Sequence, residues 1–219
     1  MDKLAQDGWA IAPSHLCPTV LQALRTDAFS AEGAGQRALL DNPSVRQAAI
    51  TLRSELIRSG ILPASAIAIQ AIAFDKNPST NWKVTWHQDL MFPFAQKVKT
   101  PGYDLPTIKD GIDYARPPHA VLEELLAVRL HLDDCDSTNG PLRVTPGTHR
   151  HGILKSTDIP GMVQQGCEIT CLAQESDLLL MKPLLLHASS PATAPKHRRV
   201  IHFVYHSGRP VAEPWHREI

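Results

Sequence analysis

Four consecutive residues, Trp86-His87-Gln88-Asp89, hold the first chemistry in this chain. Side chains two apart on an extended strand project to the same face, so His87 and Asp89 can share one ligand. One imidazole and one carboxylate make half a metal site. A second imidazole from a distant strand would complete a set of two histidines and a carboxylate, which leaves open positions on one side of an octahedral metal and suits a non-heme Fe(II) oxygenase. His187 offers that imidazole where the apolar run Leu184-Leu185-Leu186 ends, at the mouth of a buried strand. The same three residues could instead hold catalytic zinc with water in the fourth position. The plainest alternative is a structural His-Asp hydrogen bond. The surrounding Trp86 and Leu90-Met91-Phe92 argue against a fully solvated pair, and a buried carboxylate needs a charged or metal partner.

Ser189 shares the face of His187 two residues on, and Arg198 follows the histidine by eleven residues. A guanidinium facing the metal could take the far carboxylate of a dicarboxylate through two parallel hydrogen bonds while the near end chelates iron. Arg199 competes for that role. Arg129 and His131 alternate with apolar neighbours and share a face with Asp133, which either lines the site or meets solvent. Phe92 is a pocket candidate by its closeness to the metal pair. Tyr103, Tyr114 and Arg116 are candidates for substrate contact because binding residues concentrate on loops. His197, His202 and His206 have no partner at metal spacing and are read as structural or exposed.

The elements that would position these groups are short strands with helical buttresses. Gly8 to Ala12 reads as a strand, and Pro13-Ser14 as the start of a helix through Val20, Leu21, Leu24 and Phe29. Asp41-Asn42-Pro43-Ser44 starts a second helix that Gly60 stops. From Ile67 onward the pattern turns to strands: 66–74, 82–86, 126–133, 142–145, 167–172, 178–181, 184–188 and 199–205, with strong turns at Asn139-Gly140-Pro141 and Pro146-Gly147. Strands in such numbers indicate a mainly β chain folded as a sandwich or jelly roll, the cupin-like architecture. Residues 95–118 are polar with little periodicity, and a segment that long is read as a lid over the site.

Composition agrees with one globular domain over 1–219: 43% of residues are hydrophobic and 20% charged. Twenty-two basic and twenty-two acidic residues cancel, giving no field that would favour nucleic acid or an anionic membrane. The first ten residues lack the apolar run of a secretion signal, and the expected location is the cytoplasm. Cys17, Cys135, Cys167 and Cys171 show no zinc-type pairing and are read as buried thiols rather than a disulfide framework. Oligomeric state leaves no mark in the sequence.

Taken together, His87-Gln88-Asp89, Asn139-Gly140-Pro141-Leu142, Pro146-Gly147-Thr148-His149, and His187-Ala188-Ser189 with Arg198 resemble the phytanoyl-CoA dioxygenase-like family of Fe(II)- and 2-oxoglutarate-dependent oxygenases. The resemblance spans Phe74 to Tyr205. It implies a double-stranded β-helix with His87, Asp89 and His187 as iron ligands, and with Arg198 and Ser189 on the far carboxylate of 2-oxoglutarate. Gln70 matches a position that contributes to the co-substrate pocket in some relatives. The activity implied is oxidative decarboxylation of 2-oxoglutarate with O2, coupled to hydroxylation of a small molecule. Two alternatives stand beside it: a cupin-like module that binds a small ligand without turnover, and a zinc hydrolase, in which Arg198 and Ser189 would have no role.

Overall fold

A computed structural model describes residues 2–29 and 35–219. In chain order the elements are α1 (Asp2–Asp7), β1 (Trp9–Pro13), α2 (Pro18–Asp27), β2 (Gly35–Gln36), α3 (Pro43–Arg58), β3 (Ile67–Lys76), β4 (Val84–His87), β5 (Phe92–Phe94), β6 (Asp104–Lys109), β7 (Ile112–Arg116), α4 (His119–Glu123), β8 (Leu125–His131), β9 (Leu142–Val144), α5 (Ile159–Gln165), β10 (Ile169–Cys171), β11 (Asp177–Met181), β12 (His187–Ser189) and β13 (Arg198–His206).

Local chemistry explains the helix ends. The Asn42 side chain accepts hydrogen bonds from the Ser44 and Val45 amides, and Pro43 fills the first helical position of α3, where no N–H is needed. Gly60, at φ +70°, takes the left-handed conformation just beyond the helix end. Helix α2 starts at Pro18, later than the Pro13-Ser14 signal suggested, because Ser14 spends its hydroxyl on Ser176, 2.7 Å away, and caps nothing.

The strands form a six-stranded antiparallel sheet in the order β1-β11-β8-β13-β3-β2 and a four-stranded one in the order β10-β9-β12-β4. Strand alternation divides the larger sheet into two faces. Val128 and Leu130 of β8 and Ile201, Phe203 and Tyr205 of β13 pack against Leu24, Val45, Leu52 and Leu56 of helices α2 and α3, forming the main apolar core. The buried Tyr205 hydroxyl donates to the Ala49 carbonyl, 2.9 Å away, tying α3 to the sheet. The opposite face carries Gln70 and Phe74 of β3, Arg129 of β8 and His202 of β13, which line a cavity together with residues of the smaller sheet. The jelly-roll expectation and the buttressing helices are both borne out. The face of Arg129 and His131 is interior: Arg129 is 8% and His131 2% exposed.

Two expectations need correction. Residues 95–118 are not without structure: β6 and β7 form a hairpin that joins β5 in a three-stranded sheet, with Phe92 opposite Ala115 and Phe94 opposite Asp113. Strand β6 is exposed on both faces through Ile108 and so has no apolar alternation to read, and the buried positions of β7, Ile112, Tyr114 and Ala115, span too few residues to stand out. Likewise, Leu184 to Leu186 lie in the turn before β12, so His187 opens its strand and does not close it. Among the described residues no helix is long and apolar enough to cross a membrane.

Candidate metal centre and its cavity

Pairing of β12 with β4 sets His187 opposite His87, with ring centroids 4.2 Å apart. Asp89 follows the end of β4, its amide donating to the Pro183 carbonyl at 2.8 Å. The intervening Gln88 turns the other way and acts as a clamp. Its Nε2 donates to the Gly152 and Leu184 carbonyls, and its Oε1 accepts from the Leu154 amide. Three hydrogen bonds from one buried side chain thus fix the segment between the two candidate ligands.

The tautomers follow from hydrogen bonding. His87 Nδ1 lies 2.8 Å from the Thr85 carbonyl and His187 Nδ1 2.9 Å from that of Leu185. A carbonyl only accepts, so both Nδ1 atoms carry the proton and both Nε2 atoms keep a bare lone pair. Each Nε2 is 3.6 Å from an Asp89 carboxylate oxygen, and one ligand atom from each residue falls within 4.8 Å of the others. Two neutral imidazole nitrogens and a carboxylate converging in this way fit a divalent metal ion. Burial pushes His187 down to about 4, which keeps it neutral. Burial also opposes ionisation of Asp89, yet His187, His87 and His202 outweigh it and hold that carboxyl far below its usual range.

His202, read from sequence as structural or exposed, stands beside this centre. Its Nε2 is 3.9 Å from Asp89, and its Nδ1 is 3.2 Å from Arg129 Nη1. Since guanidinium only donates, His202 Nδ1 accepts and its proton sits on Nε2, on the Asp89 side. No sequence signal pointed to this, because the contact joins β13 to the segment after β4.

A cluster of cations occupies the far end of the cavity. Arg198 is 3% exposed; its Nη1 donates to the Gly140 carbonyl while its Nε has no partner. Ser189 Oγ donates to the same carbonyl at 3.1 Å and accepts from Lys76 Nζ at 2.5 Å. Lys76 is fully buried, bonded only to neutral oxygens of Ser189 and Ser190, and burial lowers it to about 8, with Arg198 the next cause. Sequence reading passed over Lys76, which looks like an ordinary surface lysine beside the Asn77-Pro78 turn. Gly140 makes the arrangement possible: it has φ +75°, and a Cβ there would stand 2.9 Å from the Ser190 carbonyl oxygen.

Arg199 is occupied elsewhere, holding Asp133 through Nε at 2.9 Å and Nη2 at 2.7 Å. Gln70, whose Oε1 has no partner, lines the cavity together with Arg129, Phe92, Tyr114, Ser189 and Arg198. Of the remaining candidates, Tyr103 packs edge-on against Phe94, Arg116 pairs with Asp104 at 2.8 Å, and His131 is buried behind the lining. None of these three lines the cavity. The cavity holds about 500 Å3, within the range of about 300–1,000 Å3 for small-ligand sites.

Comparison with known proteins follows this geometry. The family described as phytanoyl-CoA dioxygenase (PhyH) matches residues 6–200. No curated protein matches. Among solved structures, AviO1 from Streptomyces viridochromogenes Tue57 is 18% identical, covering 97% of this chain and 96% of its own, with a TM-score of 0.67. EctD from S. alaskensis with bound Fe is 16% identical, covering 98% and 78%, with a TM-score of 0.70. A second EctD structure, with 2-oxoglutarate and 5-hydroxyectoine, is 15% identical over 94% and 74%, with a TM-score of 0.67. These likenesses establish a shared fold.

Proposed function

The chain belongs to the phytanoyl-CoA dioxygenase family, and from that premise we propose that it is an Fe(II)- and 2-oxoglutarate-dependent dioxygenase that hydroxylates a C–H bond of a small molecule. The observation that carries this reading is the convergence of two carbonyl-anchored histidines on Asp89, with a buried arginine lacking any carboxylate at the far end of the same cavity. His87, Asp89 and His187 would hold the iron. When bound, iron with 2-oxoglutarate and O2 supplies the oxidising chemistry, yielding succinate and CO2.

The chain's own residues do the positioning. Arg198 offers its guanidinium to the far carboxylate of 2-oxoglutarate, and Lys76, acting through the Ser189 hydroxyl, adds a second positive charge to that end. Gln70 and Arg129 present polar groups along the wall between the far end and the metal centre. Gln88 and His202 keep Asp89 in place, the first by clamping its backbone segment and the second by facing its carboxylate. Phe92 and Tyr114 form apolar wall that excludes water from the reacting end of the substrate. EctD, which shares this fold, has been seen with iron and with 2-oxoglutarate, in agreement with the reading.

The test is succinate release by the protein reconstituted with Fe(II). Release should require both 2-oxoglutarate and O2, and should vanish when zinc replaces iron. Turnover that proceeds equally with zinc, or without 2-oxoglutarate, would overturn the proposal.

A further inference from the structure

The cavity is more cationic than iron and 2-oxoglutarate require. Among the described residues Asp89 is the single acidic one lining it, against Arg37, Lys109, Arg129 and Arg198, with Lys76 just behind Ser189. Arg37 is spoken for by Asp110 at 2.8 Å. Iron(II), 2-oxoglutarate and Asp89 together carry one net negative charge, whereas Arg129, Arg198 and Lys109 carry three positive ones. An excess of positive charge in a partly dry cavity calls for a further anion.

Lys109 marks where that anion would sit. It ends β6 on the hairpin, whereas the far end of the cavity is built from Lys76 of β3, Ser189 of β12 and Arg198 of β13. Edge strands often carry lysines to deter pairing with other chains, but such lysines stand in solvent. The Lys109 ammonium is drawn inward, 5.0 Å from the centre of the Tyr114 ring, and Tyr114 is only 4% exposed. Among the described residues no carboxylate pairs with Lys109, and the charges felt most strongly there are Arg37 and, across the cavity, Asp89. Apolar surface adjoins it: Met91 and Leu105 line the same cavity, and Leu105 is 60% exposed on the rim.

We propose that the prime substrate is a small organic anion, a carboxylate or a phosphate monoester. Its charged group pairs with Lys109, and its apolar body lies along Leu105, Met91 and Tyr114 toward the metal centre. This rests on the oxygenase reading, and the test separates the two.

The full-length protein, loaded anaerobically with Fe(II) and 2-oxoglutarate, is titrated by thermal shift with matched pairs of probes. These are straight-chain carboxylates against their primary amides, and phosphate monoesters against their parent alcohols. Anions should bind at least about tenfold more tightly than their neutral partners, with a preference that shrinks as salt rises. Lys109→Met should abolish that preference and Lys109→Arg restore it, while the shift caused by 2-oxoglutarate persists in both. The better series, carboxylates or phosphates, identifies the head group. Neutral probes binding as well as anions, no anion binding at all, or anion preference surviving in Lys109→Met would each overturn the inference. Absence of any shift with 2-oxoglutarate itself would instead overturn the oxygenase reading.

Discussion

Arg198 and Arg199 are adjacent in sequence and alternate across β13, so one enters the cavity while the other meets Asp133 on the outer face. Arg198→Met should therefore raise the KM for 2-oxoglutarate about a hundredfold, the loss of a buried charge-assisted pair worth roughly 3 kcal/mol. Arg199→Met should leave that KM nearly unchanged and lower the Tm instead, a contrast that steady-state kinetics and a melting curve would reveal. Lys76 carries a second prediction. Its charged form, which on the proposed function would attract the co-substrate, is present below about pH 8 and lost above it, so the KM for 2-oxoglutarate should rise in alkali. Over the same range the unfolded chain, with lysine near 10.5, binds a proton that the folded one does not, so folding stability rises from about pH 8 toward 10.5. Lys76→Met should remove both slopes, stabilising the unliganded protein by about 1–3 kcal/mol while weakening co-substrate binding. The convergence of His87, Asp89 and His187, and the place of Arg198 in the cavity lining, could be anticipated from sequence because their spacing in the chain exposes them. Lys76 and His202 could not, since each acquires its role from a contact across strands that no local pattern records.

At the scale of elements, the Gly140 loop is the joint on which the far end of the cavity depends. Its carbonyl accepts from both Arg198 and Ser189, and a methyl group on its Cα would collide with the Ser190 carbonyl. Gly140→Ala should move that carbonyl and weaken 2-oxoglutarate binding while leaving iron affinity largely intact, as paired titrations would show. Helix α3, by contrast, is a buttress: Leu52→Ala, at a fully buried position, should cost about 2–5 kcal/mol in denaturant unfolding and leave metal binding unchanged in the folded fraction. This division could be read in advance, since α3 announced itself by Asn42-Pro43 and by helical spacing. The β6–β7 hairpin could not, because β6 is exposed to solvent and carries no apolar period, and β7 is only five residues long. Leu105, Lys109 and Tyr114 of this hairpin line the same cavity as His87, Asp89 and His187.

Across the whole molecule, equal numbers of acidic and basic residues hide a local asymmetry: Lys76, Arg129 and Arg198 are buried in or beside one cavity, where among the described residues Asp89 is the one lining carboxylate. Net charge is a property of composition, whereas the field in the cavity depends on which strand faces inward, and only the assembled sheets reveal it. The larger sheet thus packs against helices on one face and lines the cavity with Gln70, Arg129, Arg198 and His202 on the other, while the smaller sheet carries His87 and His187. On the proposed function the metal and 2-oxoglutarate meet in this cavity. Anaerobic addition of Fe(II) and then 2-oxoglutarate, followed by visible absorption, tests it most directly. A weak charge-transfer band should appear, saturate with 2-oxoglutarate, disappear in Asp89→Ala, and need about a hundredfold more 2-oxoglutarate in Arg198→Ala. Bound iron with no such band in the unaltered protein would contradict it.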